Sequence, residues 1–410
     1  MRSHNTSYSS QKLPNLRTIY FITFLLIILL STFFRGIDLV GSISTTYVLL
    51  PLSVLVVFFS SIKIVTEKKF RISYNMLILT AIVLLLTLSF YYNLIYNPMP
   101  EKALRFYVEF ILGPLILLAS ITLTDKNTLK LAYRWIVATG AIVSLYILAY
   151  IINSGLDSIR RVAVGDGIPL AISANYLSSI FGIAIVIATA QILTEYSWKK
   201  SRLELIALPV LAFGLILTGS RAAMIGVGLS FILILLSTRS MRILVPTSAL
   251  GVGSIIIVVV LRSFFNFTGG YRFTLEHILY SIGLLYNLIT SSLQEVIQTP
   301  MSILFGVGFY RYAPISSPHV VDAGYPHNYL ASAIIHIGFP TAIALALLIL
   351  VTLKQLFILS IFQKESYYLP LATLCSLVVF LMYMMSEGRL TRMYSFWMFA
   401  GITQSLIRDI

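Results

Sequence analysis

Apolar residues run along this chain in unbroken blocks, not in alternation. The blocks fall at 18–34, 43–62, 74–95, 106–124, 131–152, 171–193, 204–219, 222–238, 243–261, 328–352, 367–386 and 393–407. Most reach or approach the roughly 18–20 residues that a helix needs to cross a bilayer. A membrane barrel would show strict alternation over about ten residues, so the pattern argues against one. It predicts an all-α polytopic membrane protein of about twelve transmembrane helices, with residues 1–410 as one integral membrane domain. The block from Thr18 to Phe34 is too long for a signal h-region and lacks a small-residue cleavage site. It is expected to remain as the first span.

Composition agrees: 58% of the residues are hydrophobic and 11% are charged, where a soluble domain carries about 25% charge. The formal charge of +14 raises nucleic acid as a partner, but no basic run interleaved with aromatics supports it. In a membrane protein the excess is first a topology signal. Cys375 is the single cysteine and lies in an apolar block, which excludes disulfides and thiolate metal sites. One set of loops collects 18 of the 29 basic residues, including Lys63, Lys68, Lys69, Lys126, Lys130, Lys199, Lys200, Lys354 and Lys364. By the positive-inside rule that side is cytoplasmic, and both termini lie on it. The other face holds Lys102 and ten arginines: Arg35, Arg105, Arg160, Arg161, Arg221, Arg262, Arg272, Arg311, Arg389 and Arg392. Orientation alone does not ask for arginine there. Its planar fork binds phosphate oxygens bidentately, so an anionic ligand at this face is expected. Some of the ten would pair instead with Asp38, Glu101, Glu109, Asp157, Asp166 or lipid headgroups.

The one large outer loop is 262–327. Within it Ile278, Ile282, Leu285, Ile289, Leu293 and Val296 recur at three- and four-residue spacing, with Thr274 to cap the start and Pro300 to stop the end. Asn287, Thr290, Ser291 and Ser292 on the same stretch would sit in lipid if it were a span. It is read as an amphipathic helix on the outer membrane surface, roofing a cavity. No internal repeat is visible, which counts against a transporter built from inverted halves.

Two residues stand out chemically. Arg221 follows Leu217-Thr218-Gly219-Ser220 at the join of two short blocks, and Gly219, Ala222, Ala223 and Gly226 are small enough for close helix packing. A guanidinium slightly within the membrane is costly and usually functional; the alternative is a turn arginine reaching outward. His327 precedes Asn328, which can cap the next helix. A histidine needs little tuning to serve as a base near neutral pH, although a lone one is often structural. His336 falls inside the span and is expected to pack or hydrogen-bond. No Asp-x-Asp, His-Glu-x-x-His or outer carboxylate cluster occurs that would hold a divalent ion, so no metal site is expected and arginine must neutralise any phosphate charge. Gly306-Val307-Gly308 reads as a turn, and Tyr310 and Arg311 beyond it would face the same cavity.

At these residues the chain resembles the bacterial O-antigen ligases and O-antigen polymerases. Thr218-Gly219-Ser220-Arg221-Ala222 is similar to the family's arginine hairpin. Pro300 to Phe309, as Pro-x5-Gly-Val-Gly-Phe, resembles its Pro-Leu-Phe-Gly-Val-Gly segment with a small insertion. His327-Asn328, nine residues, then Gly338-Phe339-Pro340-Thr341 resembles the ligase pattern of His-Asn, nine residues, Gly-x-x and Gly, Thr or Tyr. The likeness covers residues 200–345; the first 200 residues are similar only in hydropathy.

The resemblance implies a membrane glycosyltransferase fold of the C type (GT-C), with the large loop and active site in the periplasm of an inner-membrane protein. It implies an inverting, cofactor-free and metal-independent transfer from an undecaprenyl-diphosphate-linked glycan to lipid A–core, or, in a polymerase, to a lipid-linked acceptor. Arg221 would hold the pyrophosphate and His327 would activate the acceptor hydroxyl, with Asn328 beside it. Family members commonly carry a second loop arginine early in the amphipathic helix, closer to the Pro-x5-Gly-Val-Gly segment. Here Arg272 precedes that helix by several residues, and Arg160 and Arg161 compete for the role. The histidine pattern favours ligase over polymerase. A lipid-linked glycan flippase is the distant alternative, since it needs polar groups along the whole path and here the arginines gather at one mouth.

Overall fold

The computed structural model describes residues 74–96, 100–153, 174–195, 201–238, 275–308, 328–362, 368–387 and 393–408. Among them every regular element is a helix, as unbroken apolar blocks require: in lipid each backbone N–H and C=O must be satisfied within its own segment. The helices are α1 (Tyr74–Tyr96), α2 (Pro100–Leu123), α3 (Lys126–Asn153), α4 (Ala174–Glu195), α5 (Arg202–Thr218) and α6 (Arg221–Thr238). They continue with α7 (Leu275–Ile297), α8 (Pro300–Phe305), α9 (Tyr329–Phe362), α10 (Tyr368–Glu387) and α11 (Tyr394–Arg408). Six of these, α1 to α4, α9 and α10, are long and apolar enough to cross a membrane. The expected spans 18–34, 43–62 and 243–261 lie outside the described residues.

The structure corrects several boundaries. Helix α2 opens at Pro100, so Glu101, Lys102 and Arg105 stand on its first turns and not in a loop. Proline suits that first position, because its missing N–H would have no helical partner anyway. Lys126, Lys130 and Arg134 likewise belong to the first turns of α3. Helix α9 runs ten residues beyond the expected 352 and carries Lys354. The amphipathic helix ends at Ile297, three residues before Pro300, as a stop proline predicts. Pro300 also opens α8, behind a capping box in which Thr299 and Ser302 satisfy each other's backbone N–H groups.

Two helices form the centre. Helix α4 packs against α3, α5, α6 and α10, and α10 packs against α4, α6, α9 and α11. In the apolar window of α4, 89% of residues are buried, against 33% for α1 at the rim. The rim turns its large apolar side chains outward: Leu84, Leu88 and Ile95 on α1, Ile225, Ile232 and Leu236 on α6, and Ile343, Leu347 and Leu350 on α9 are all exposed. In water such a continuous apolar exterior would be an aggregation liability; against acyl chains it is the matching surface.

Since lipid tails are as apolar as leucine, the hydrophobic effect does not hold these helices together. Close packing and interhelical hydrogen bonds do. A Cβ at Gly113 of α2 would collide with the Trp397 indole of α11, and one at Gly401 would meet the Leu117 carbonyl. Ser144 donates to the Val210 carbonyl at 2.6 Å and Ser405 to the Thr124 carbonyl at 2.7 Å. Gln404 donates to Gln355 at 2.9 Å. Each bond of this kind contributes roughly 0.6 kcal/mol on average, so specificity comes from their number and placement.

Candidate functional site

The spacing along α10 shows where Arg221 sits. On α6, Ser230 Oγ donates to the Cys375 carbonyl at 3.1 Å. Four residues earlier, a Cβ on Gly226 would come within 2.8 Å of the Val379 Cα. The two helices are therefore antiparallel, and one more turn brings Arg221 to the level of Met384 and Met385. Helix α4 reaches the same end: Gly182 abuts the Val379 side chain, and the Tyr176 and Tyr383 rings meet edge-on with centroids 5.6 Å apart. Helix α9 does too, because Asn328 Nδ2 donates to the Met385 sulfur at 3.6 Å. The N-termini of α4, α6 and α9 thus gather around the C-terminal end of α10.

Local chemistry accounts for each of these helix starts. Gly219 has φ 59° and ψ 25°, the left-handed conformation that ends a helix, and its N–H closes back on the Ile216 carbonyl at 3.0 Å. Thr218 and Ser220 in that turn are buried, and Arg221, half-buried, is the first residue of α6. Asn328 caps α9 as expected, its Oδ1 accepting from the Leu330 and Ala331 N–H groups at 3.0 and 3.1 Å. The expected small-residue packing behind Arg221 is present: Ala223 is fully buried and Gly226 lies against α10. A helix N-terminus carries about half a positive charge and a C-terminus about half a negative one; here three N-termini and a guanidinium outweigh the C-termini of α5 and α10, so the end favours an anion.

Of the sequence candidates, Arg221 and Asn328 come to this end together. His327, one residue before Asn328, lies outside the described residues, as do Arg160, Arg161, Arg272, Tyr310 and Arg311. Glu109, considered as an outer partner for those arginines, is buried within α2, where its backbone carbonyl accepts from the Tyr394 hydroxyl at 3.2 Å. Tyr176 and Tyr383 were missed by sequence reasoning. Their one signal is a phenolic hydroxyl within an otherwise apolar block. Among the described residues no group of three or more His, Cys, Asp or Glu could hold a metal ion.

A second structure joins the two glycine motifs. Helix α9 breaks at Gly338, with φ 81° and ψ 167°, just before Pro340. The break frees the Ile335 carbonyl, which accepts from the Val307 N–H at 2.6 Å. Gly306 lies so close that a Cβ there would fall 2.5 Å from that same carbonyl oxygen, and a Cβ on Gly338 would overlap the Leu304 carbonyl. His336 is buried, and its Nδ1 lies 3.2 Å from the Gly308 carbonyl. A carbonyl only accepts, so Nδ1 carries the proton. From the other side α1 holds the C-terminal carbonyl of α8: Ser89 donates to the Phe305 oxygen at 2.7 Å and Asn93 at 3.3 Å, while Tyr92 stacks on the Phe305 ring.

Helix α7 leads into this assembly and touches it at one end. Val296 is buried against Ile335, but Leu279, Tyr280, Ile282 and Tyr286 are exposed. Of the expected apolar stripe, Ile282 is open, Ile289 and Leu293 are partly covered, and Val296 is buried. Its main packing is on α8 and α9. A comparison with protein-family models gave no match, and none of the curated proteins matches the chain.

Proposed function

We propose that this chain is a membrane glycosyltransferase that moves an undecaprenyl-diphosphate-linked O-antigen polysaccharide onto lipid A–core at the periplasmic face. The observation that carries the reading is the gathering of Arg221, Asn328 and three helix N-termini at one end of α10. That end suits the negative charge a diphosphate leaving group develops. The acceptor hydroxyl oxygen attacks the anomeric carbon while the bond from that carbon to the diphosphate oxygen breaks. The electron pair leaves with the diphosphate, and the hydroxyl proton passes to His327. A single in-line displacement inverts the anomeric centre. Fixed cationic groups aimed at the leaving oxygens supply the largest stabilisation such a reaction draws from its protein, and the base contributes a further factor of about 10²–10⁴.

Polymerase activity is the neighbouring reading, since joining two lipid-linked repeats needs the same leaving-group chemistry. A deletion strain separates them. Lipopolysaccharide without long chains, in cells that still make polymerised lipid-linked glycan, is the result a ligase gives. Chains capped with a single repeat would show a polymerase, and unchanged banding would remove both.

A further inference from the structure

The external arm, α7 with α8, is joined to the bundle at two places: α1 holds Phe305 through Ser89, Asn93 and Tyr92, and a small polar clasp holds the arm to α9. The apolar part of the contact with α9 is narrow: Val296 against Ile335, with Val307 and Phe339 beside them. The clasp is backbone on backbone, Gly306 against Ile335 to Ile337 and Leu304 against Gly338, with the Val307 N–H closing on the Ile335 carbonyl. It exists because α9 is broken, and the break leaves a carbonyl that a continuous helix would have used. Among the described residues, the His336 side chain reaches across it. His336 is 4% exposed, lies against the Phe106 ring with centroids 5.6 Å apart, and donates from Nδ1 to the Gly308 carbonyl. His336 also stands two turns from Asn328, the cap of α9 at the candidate site.

We propose that His336 is a positioning residue: its Nδ1–H holds the Gly306–Gly308 turn in the break of α9 and thereby fixes the external arm relative to the transfer site. This rests on the function proposed above, and it assigns the residue no contact with substrate. The claim is specific to one ring nitrogen, which makes it testable by shape. An asparagine amide nitrogen occupies nearly the position of Nδ1, whereas a glutamine amide nitrogen falls near Nε2. An unmet buried carbonyl is expensive, so losing the donor should loosen the turn without unfolding the bundle.

Three variants of the full-length protein in detergent decide it: His336→Asn, His336→Gln and His336→Ala. The first readout is hydrogen–deuterium exchange of a peptide covering Val307, whose N–H is held by the clasp. Protection should survive in His336→Asn and fall about tenfold or more in the other two. The second is transfer with an undecaprenyl-diphosphate-linked glycan and lipid A–core. Here kcat should fall about tenfold in His336→Gln and His336→Ala and recover in His336→Asn, with KM for the donor little changed. Equal protection in all three variants overturns the positioning role whatever the activity. Equal loss in all three overturns it as well, because ring packing on Phe106, not the Nδ1 donor, would then be what matters. If exchange follows the predicted order but wild-type protein transfers no glycan, the clasp stands and the glycosyltransferase reading fails.

Discussion

Arg221 is one residue past a left-handed glycine and half-buried at the start of a helix that packs backbone-close on its neighbour. A guanidinium in that setting loses hydration, and a bidentate ligand can replace it. Lysine keeps the charge but presents a point instead of a fork. Arg221→Lys should therefore insert and fold normally and yet lose about ten- to a hundredfold in transfer, the equivalent of roughly 1.5–3 kcal/mol for one charge-assisted contact. Membrane-fraction immunoblots alongside rate measurements check both halves; near-normal rates in the lysine variant would mean that the fork geometry is irrelevant. The sequence made this residue visible because arginine near a helix hairpin inside apolar blocks is rare. Tyr176 and Tyr383 were not visible, since a tyrosine in a hydrophobic block reads as bulk until a neighbour is known.

At the level of elements, hydropathy marked each described apolar helix to within a few residues at most ends. It failed where helices extend beyond the membrane-length block: the first turns of α2 and the last turns of α9 carry charges that a span count cuts off. It also missed α8, which is six residues long and held by a capping box and by contacts from α1, all of them tertiary or local features with no hydropathic signal. The break in α9 was half legible. Pro340 announces a disturbance, but nothing in the sequence says that Gly306-Val307-Gly308 fills the gap. Helix packing makes its own prediction on α6. Gly226 meets the backbone of α10, while a Cβ at Gly228 would have nothing within 4 Å. Gly226→Leu should destabilise the detergent-solubilised protein by about 1–3 kcal/mol of overpacking strain. Gly228→Leu should leave its thermal unfolding midpoint unchanged. Equal behaviour of the two in a thermal melt would contradict the α6–α10 register on which the placement of Arg221 depends.

For the whole molecule, the all-helical build and the apolar exterior follow directly from composition and block length. The arrangement of charges predicts more than the helices themselves display: both termini cytoplasmic and the 262–327 loop on the opposite side. In a Cys375→Ser background, a cysteine introduced at Ile315 should react with an impermeant thiol reagent once the outer membrane is permeabilised. Labelling only after lysis would reverse the topology. The site was legible as a list of residues, not as an arrangement. Arg221 and Asn328 are 107 positions apart in the chain, and only the shared packing of α6 and α9 on α10 brings them to one level.

The measurement that bears most directly on the account is glycan transfer by the purified protein, in excess EDTA, from an undecaprenyl-diphosphate-linked donor to lipid A–core. Wild-type protein should transfer undiminished by the chelator. His327→Ala should lose most of the wild-type rate, by about 10²-fold or more, and still bind donor, because the arginine and the helix N-termini that favour its diphosphate are untouched. Transfer that stops in EDTA and returns with Mg²⁺, or a His327→Ala variant as active as wild type, would contradict the mechanism.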